Sequence, residues 1–342
     1  MLDFTSALYL GMRHPAAQLA PWSSLTLGQP AALREPPGAP ALAADLAALQ
    51  GCEAACVLPS TLHLFWDLFG MLAAERLVIL VDGGSYAIAR WGAERAQALG
   101  LPRQVFPSGE VAALRRLVAA WCRQGRRPLI LADGYVPGSE QVLPLAGYAA
   151  LARQGGGYLL LDDTQVLGVM GASGGGSARL HGLPGESLII GASLAKGFGV
   201  PLAVLTGSDG LLRRFEAHSQ TRVHASPPSA AVLAAARRAL ALNAQHGGAL
   251  RTRLADRVAQ WRSGMAAAGI ACRGGSFPVQ RLPGRAHLQP ALRAAGVLAL
   301  AQAGDGPGAL TFLLRADQTP GQLQQAMDLL EHHIRRRYAR SI

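Results

Sequence analysis

Apolar runs alternate with helix-forming stretches from residue 77 to residue 208 of this 342-residue chain. Each run is rich in Leu, Val and Ile and stops at a polar or glycine cluster, as the buried strands of parallel sheets do. Amphipathic helical sequence follows most of the runs, so we predict an α/β fold with a mainly parallel sheet covered by helices. The runs are RLVILVDGG, PLILADGY, GYLLLDDT, SLIIGASL and PLAVLTGS.

Two proline-rich breaks divide the chain. PPGAPALAADLAALQG leads from an N-terminal segment and linker, residues 1–40, into a large domain over residues 41–235. The prolines of HASPPSAA precede a long helical stretch, and beyond about residue 245 helices alternate with a few weak strands. We therefore predict a smaller α+β C-terminal domain over residues 236–342. The glycine run at residues 171–177 is typical of a flexible loop with a structural role.

Composition and charge argue against several classes of protein. The net charge is +11, but the arginines are scattered and cluster only at residues 332–340, where a solvated terminal helix would end, so we expect no nucleic-acid binding. The apolar runs are too short to cross a bilayer, and the first residues lack a signal-peptide pattern, so we expect a cytoplasmic protein. The four cysteines form no CxxC pair, which favours free thiols and no metal site.

Lys196, in SLAKGFG, is the single lysine among the 32 Lys and Arg residues. An arginine stays protonated near neutral pH, whereas a lysine amine can lose its proton and form a Schiff base. Asp162 and Asp163 end the predicted strand LLLDD, and neighbouring residues of a strand point to opposite faces, so their environments should differ. Polar residues at the carboxyl ends of such strands mark the ligand-binding edge of an open α/β sheet. These are Asp82, Asp133, Asp162 and Ser193.

These residue types suit pyridoxal 5′-phosphate (PLP). This cofactor needs a lysine for its Schiff base, a carboxylate that keeps the pyridine nitrogen protonated, a flat group on its ring and small donors at a helix N-terminus for its phosphate. The chain offers a candidate for each. A lysine paired with an aspartate is also compatible with a purely structural ion pair.

The segments around Asp162 and Lys196 resemble those of fold-type I PLP enzymes, above all the class II aminotransferase-like alpha-oxoamine synthases. The resemblance continues in the same order along nearly the whole chain, which identifies the fold more firmly than any single motif. It implies the PLP-dependent transferase (aspartate aminotransferase-like) fold, PLP as cofactor and a homodimer. The matching segments are LDFTSALYLGMRHP, CVLPSTLHL, DGYVPGSEQVLPL, LLLDDTQVLGVMG, SLIIGASLAKGFG and SPP at residues 226–228.

The resemblance assigns a role to each candidate site residue. Lys196 would be the Schiff-base lysine and Asp162 the partner of the pyridine nitrogen, and these two are the predicted catalytic residues. Tyr86 would stack on the ring where the family has a histidine, although an aromatic residue at this place is as compatible with core filling. Gln165 would donate a hydrogen bond to the ring hydroxyl. The predicted phosphate-binding residues are Ser60, Thr61, Leu62 and Ser193.

Several positions depart from the family pattern. Ala195 replaces the serine before the lysine, and Ala7 replaces an asparagine of the N-terminal motif. Where the family has an arginine that holds the substrate carboxylate, this chain has Leu310 and Thr311, and Arg315 is out of phase with that position. The family's carboxylate clamp is therefore not evident in this sequence.

The resemblance implies a PLP-dependent transferase that condenses an amino acid with an acyl thioester, carried by coenzyme A or an acyl carrier protein. An aminotransferase or another biosynthetic PLP reaction is the alternative within the enzyme class. Outside that class, the chain could be a catalytically silent PLP-fold subunit that binds a partner. The lysine and the aspartate argue against the silent subunit, and the absent clamp argues for it.

Overall fold

The structure is a computed structural model that describes residues 1–138, 142–304 and 306–338. These residues form two compact units. The large unit contains Arg13–Val136 and Val142–Gln245, and the small unit contains Met1–Met12, the chain from His246 onward, and Pro137 with Gly138. Part of the motif DGYVPGSEQVLPL, residues 139–141, and the end of the basic cluster, residues 339–340, lie outside the described residues.

A seven-stranded sheet in the order β2-β8-β7-β6-β5-β3-β4 forms the centre of the large unit. Every neighbouring pair is parallel except the two that involve β8, which is antiparallel to both β7 and β2. This arrangement confirms the predicted mainly parallel α/β sheet. The strands are β2 (Ala54–Leu58), β3 (Leu77–Asp82), β4 (Arg103–Phe106), β5 (Arg127–Asp133), β6 (Tyr158–Asp162), β7 (Leu188–Ser193) and β8 (Ala203–Gly207).

Helices cover both faces of this sheet. In β3, Leu77, Ile79 and Val81 pack into one apolar cluster, while Val78 and Leu80 pack into another. Both sets are fully buried because strand side chains alternate between the faces, which explains why the runs are continuously apolar. The helices are α1 (Ala39–Gln50), α2 (Thr61–Leu72), α3 (Ala87–Ala98), α4 (Val111–Cys122), α5 (Leu145–Gln154), α6 (Ser177–His181), α7 (Asp209–His218), α8 (Gln220–His224) and α9 (Ala230–Ala267).

The small unit surrounds a core in which Trp261 and Phe312 have ring centroids 4.5 Å apart. Its strands form a two-stranded parallel pair, β1-β10, and a three-stranded antiparallel sheet, β11-β12-β9. The mixture of helices and weak strands matches the α+β pattern expected from the sequence. The remaining elements are β1 (Leu2–Asp3), β9 (Val279–Pro283), β10 (Val297–Leu298), β11 (Leu300–Gly304), β12 (Gly306–Leu313), α10 (Gln289–Ala294) and α11 (Pro320–Tyr338).

The compact units divide the chain at other places than the expected boundaries of 40 and 235. The first residues group with the C-terminal part because β1 pairs with β10. The expected boundary at residue 235 falls inside α9, which continues without a break to Ala267. None of the described helices is long and apolar enough to cross a membrane.

Candidate active site

Two aspartates end neighbouring strands at the carboxyl edge of the sheet. Asp133 ends β5 and Asp162 ends β6, and the two are partners in the parallel register. Adjacent strands lie about 4.8 Å apart, so the backbones that carry the two carboxyl groups are close enough for these groups to interact. Gly191 of β7 is the next partner of Asp162, and Ser193 ends that strand. The predicted edge therefore brings these groups together as expected.

Lys196 lies in the turn that follows β7, partly buried between that edge and solvent. Burial lowers the pKa of its amine below the ordinary lysine value, because the protein replaces the water that would solvate the charge. Asp162 and Asp133 both act on the amine and partly offset this effect by favouring its charged form. The amine is therefore easier to deprotonate than an exposed lysine, although the two nearby acids still favour its charged form.

The two acids have different environments. Asp162 accepts a hydrogen bond at Oδ1 from the Thr164 N–H, 3.0 Å away, and burial raises its pKa while Thr164 and Lys196 lower it. Asp133 accepts a bond at Oδ1 from the Tyr86 N–H, also 3.0 Å away. Burial and the neighbouring Asp162 raise the pKa of Asp133 well above the ordinary carboxyl value. Of the pair, Asp133 therefore tends toward the protonated form.

Thr164 links the ends of two strands. Its Oγ1 accepts a bond from the Ser193 N–H at 3.0 Å, and its own N–H bonds to Asp162. Thr164 stands inside the motif LLLDDTQ, but nothing in that motif distinguishes it as a site residue. Asp133 also ends a predicted strand, but the sequence does not assign it a role in the site. The sequence shows only that such residues lie at a strand end, and it does not show which of them contact the site.

Two glycines let the lysine turn approach the turn after β6. A Cβ atom on Gly197 would lie 2.2 Å from the Leu167 carbonyl oxygen and 3.1 Å from the Gly168 Cα. Gly168 has φ +85°, a conformation that favours glycine. Backbone therefore packs directly on backbone beside Lys196, and the position of the lysine follows from the position of Asp162.

A histidine holds the lysine turn from another side. His14 Nε2 lies 2.7 Å from the Phe198 carbonyl oxygen, and its Nδ1 lies 3.2 Å from Nη1 of Arg238. A carbonyl can only accept and a guanidinium can only donate, so the two contacts together require the proton on Nε2. His14 therefore ties α9 to a residue two positions beyond Lys196.

The predicted phosphate site lies at the start of α2. Ser60 follows β2 and is the N-cap of the helix: its Oγ accepts from the His63 N–H at 3.5 Å and lies 2.8 Å from His63 Nδ1. Thr61 is the first residue of the helix, and the next residue, Leu62, is 49% exposed. Strand β2 runs in the same direction as β7, so this N-terminus opens at the edge that carries Ser193.

Tyr86 caps the start of α3 beside Asp133, and its side chain is 61% exposed. The core-filling interpretation of this residue is therefore wrong, and its stacking role stays a prediction. Gln165 lies half-buried in the turn after Asp162, and its hydrogen bond to the ring hydroxyl stays a prediction. No group of three or more His, Cys, Asp or Glu side chains able to hold a metal ion occurs among the described residues.

The other two strand-end acids serve the fold. Asp82 accepts bonds from the Tyr148 hydroxyl at 2.6 Å and from the backbone N–H groups of Gly84 and Gly109. Asp163 points away from Lys196, and its Oδ2 accepts from the Ser177 N–H at 2.8 Å. Burial raises the pKa of Asp163 to about 6. The expected difference between Asp162 and Asp163 is thus present.

In the small unit, the residues at the expected clamp position are buried structural groups. Leu310 is fully buried, and the Thr311 hydroxyl donates to Gln302 at 3.0 Å. Arg315 is nearly buried, with its Nε 2.9 Å from Asp317 and its Nη1 2.9 Å from the Asp3 carbonyl oxygen. Arg315 therefore ties the N-terminal strand to the chain that follows β12.

The mainly parallel sheet with a lysine and two aspartates at its carboxyl edge has the arrangement of the PLP-dependent transferases of fold-type I. The family model of aminotransferase class I and II matches residues 134–330, more than half of the chain. The chain belongs to this family.

Known proteins agree with the assignment. A putative 8-amino-7-oxononanoate synthase from Thermosynechococcus vestitus is 29% identical over 96% of this chain and 88% of its own length. The structure of Sphingomonas wittichii serine palmitoyltransferase matches with a TM-score of 0.86 at 18% identity, over 96% of this chain and 86% of that one. A lysine-to-alanine variant of serine palmitoyltransferase from S. paucimobilis, with bound PLP-myriocin aldimine, matches with a TM-score of 0.84 at 17% identity and the same coverage.

The predicted fold, the resemblance to alpha-oxoamine synthases, the enzyme class and the cofactor are thereby confirmed. The residues present suit PLP. The lysine amine has a lowered pKa, the Asp162 carboxyl is fixed by Thr164, and Ser60 opens a 12-residue helix at the same edge. These are the amine, the acid and the anion-binding donors that the cofactor requires.

Proposed function

We propose that the protein condenses an amino acid with an acyl thioester, with PLP as cofactor and coenzyme A or an acyl carrier protein as the acyl carrier. The observation that carries this proposal is the placement of Lys196 against Asp162 and Asp133 at one edge of the sheet. The printed names of the relatives support the choice within the family, since they are an 8-amino-7-oxononanoate synthase and serine palmitoyltransferases.

Each site residue receives one role. Lys196 would hold the cofactor covalently, and the fixed Asp162 carboxylate would pair with its pyridine nitrogen. Tyr86, exposed at the start of α3, would cover one face of the ring, and Gln165 would bond to the ring hydroxyl. When bound, PLP supplies an electron sink for the charge that develops at the amino acid α carbon. The proposed phosphate ligands are Ser60, Thr61, Leu62 and Ser193, with Leu62 acting through its backbone.

Lys196 is also the proposed base. When its amine is displaced by the amino acid, its lowered pKa leaves more of it neutral near pH 7, so it can accept a proton at the α carbon and return it later. Asp133, with its raised pKa, would hold a proton and donate a hydrogen bond at this edge. A proton on Asp133 would limit the repulsion between the two acids beside the cofactor.

We further propose a homodimer and a cytoplasmic location. Three exposed apolar side chains, Leu62 and Trp66 on α2 and Trp91 on α3, support the dimer. The four cysteines are free thiols in the structure, and free thiols persist in a reducing compartment.

The first test is the absorbance spectrum of the purified protein with PLP, before and after borohydride, beside K196A. We expect a band near the edge of the visible range that borohydride removes and that the variant lacks. K196R is the matched control, since it keeps the positive charge without a usable amine. Absence of the band from the wild type would rule out the enzyme and leave a silent subunit.

The second test separates the two enzyme reactions. The loaded protein is incubated with single amino acids and an acyl-CoA, and free thiol is measured. We expect thiol release that requires both substrates. Formation of a 2-oxo acid from the amino acid without thiol release would instead establish an aminotransferase.

A further inference from the structure

The large unit contains a mainly apolar cavity of about 560 Å³. Its walls come from residues 20–37 and from the first turns of α9, with Pro227 and Pro228 before that helix. Two backbone bonds fix the segment: the Ala230 N–H donates to Leu25 O at 2.9 Å, and the Ala32 N–H donates to Arg222 O at 3.0 Å. The cavity is therefore bounded by hydrogen-bonded chain on one side and by a helix on the other.

The lining suits an apolar ligand. Trp22, Leu25 and Leu27 line the cavity although each is exposed, so this part of the chain keeps large apolar side chains in contact with solvent. Exposed apolar surface of this kind marks a binding site more often than a defect. A volume of this size also falls within the range of small-molecule sites, roughly 300–1,000 Å³.

The cavity is connected to the lysine turn by named contacts. Arg238 lines the cavity and donates to the Arg13 carbonyl oxygen at 3.1 Å, and it lies 3.2 Å from His14 Nδ1. His14 in turn bonds to the Phe198 carbonyl oxygen, two residues after Lys196. The His14 side chain thus lies between Arg238 at the wall of the cavity and the turn that carries the reactive amine.

Positive charge lies where the cavity meets solvent. Arg34 and Arg237 line it, and both are exposed. Neither forms an ion pair in the part of the chain that the structure describes. An apolar interior with unpaired guanidinium groups at its opening complements a molecule with an apolar tail and an anionic head.

We propose that this cavity binds the apolar chain of the acyl thioester, while Arg34 and Arg237 face the phosphate groups of its carrier. The inference rests on the proposed function and adds a specificity to it. The acyl donor would carry a hydrocarbon chain of medium length or longer, rather than a short chain. The apolar lining would bind such a chain by burial, and each methylene that enters the cavity would strengthen binding.

The test is the dissociation constant of the PLP-loaded protein for straight-chain acyl-CoA thioesters from acetyl to dodecanoyl, without amino acid, measured by calorimetry. We expect affinity to rise about threefold to fourfold for each added methylene until the cavity is full. In A234F the new ring occupies the cavity, so affinity should stop rising after the shortest chains. A244F adds the same ring at an exposed position of α9 outside the lining and should keep the wild-type series.

Other results would overturn the proposal. Affinity independent of chain length in the wild type, or equal effects of A234F and A244F, would show that no acyl chain enters. Loss of self-association in A234F together with a flat series would assign the cavity to a second copy of the chain. Thiol release tests the proposed function separately. If thiol is released but affinity does not depend on chain length, only the assignment of the cavity is wrong. If affinity rises with chain length but no thiol is released, only the proposed condensation is wrong.

Discussion

Asp162, the last residue of β6, and the adjacent Asp163 lie in different environments. Asp162 faces Lys196, whereas Asp163 is fully buried between glycines: a Cβ atom on Gly134 or Gly176 would lie 2.1 Å from one of its carboxyl oxygens. Its Oδ2 is bound by Ser177, but its Oδ1 has no hydrogen-bond partner among the described residues. A carboxylate in this place is costly to charge, which explains why burial raises the pKa of Asp163 to about 6.

This environment predicts how stability depends on pH. The folded-state pKa of Asp163 exceeds its unfolded value, so its contribution to stability is full below about pH 4 and is lost as the pH rises through 6. In D163N the neutral amide removes that loss, and its NH₂ can donate to the Ser177 hydroxyl. We expect D163N to exceed the wild type in free energy of unfolding at pH 7 by on the order of 3 kcal/mol, and the difference to fade toward pH 4.

Urea unfolding at several pH values measures this difference. D45N, at an exposed position of α1, is the control and should follow the wild type throughout. If D163N exceeds the wild type in free energy of unfolding by the same amount at pH 4 and pH 7, the amide acts through packing and not through the loss of a titrating group.

At the scale of elements, the lysine turn is held by contact between backbones. Gly197→Ala would place a methyl group 2.2 Å from the Leu167 carbonyl oxygen, which cannot move aside as a side chain can. We expect the turn to shift, the affinity for PLP to fall at least tenfold, and the thermal midpoint to fall by several degrees. Titration with PLP, followed by absorbance, and thermal unfolding measure the two effects.

Gly210→Ala is the matched control. Gly210 lies in α7, and nothing stands within 4 Å of an added Cβ. Alanine favours the helix by about 1 kcal/mol over glycine, so this variant should bind PLP normally and unfold at the same or a higher temperature. Normal cofactor affinity in G197A would contradict the idea that the close approach of the two turns places the lysine.

The elements that the sequence predicted well are those with strong local patterns. All five apolar runs are strands, and WGAERAQAL falls in α3 and its C-cap, because burial on both sheet faces demands unbroken apolar sequence. The glycine run at residues 171–177 differs from its prediction: Gly174, Gly175 and Gly176 are buried in a packed turn. Composition alone cannot distinguish glycines that give flexibility from glycines that allow close packing.

The site was predictable to a similar degree. The chemistry of Lys196 and Asp162 could be read from residue type and strand-end position. The contributions of Thr164 and His14 could not, because each acts through a backbone partner far away in the sequence: Ser193 for Thr164 and Phe198 for His14. Such bonds depend on the register of the sheet and on the path of the chain, which no local pattern encodes.

At the scale of the whole molecule, an apolar strip lies on α2 and α3. Leu62 and Trp66 are one turn apart on α2, and Arg95 of α3 has its guanidinium carbon 4.0 Å from the Trp66 ring centroid. Trp91 is one turn before Arg95 on the same face. Leu62, Trp66 and Trp91 are 49%, 46% and 53% exposed. The strip begins at the N-terminus of α2, beside the proposed phosphate site.

We expect this strip to be buried between two copies of the chain, because contiguous large apolar side chains are rarely left in water and a twofold axis can pair a patch with itself. Sedimentation velocity should give a particle of twice 35.6 kDa. A glutamate at the centre of such an interface would be buried without a partner, so W91E should shift the protein toward the monomer at micromolar concentration. L180E changes an exposed leucine of α6, outside the strip, and should leave the mass unchanged. A wild-type monomer that still shows the borohydride-sensitive band would mean that one chain completes the cofactor site, and a W91E dimer would place the interface elsewhere.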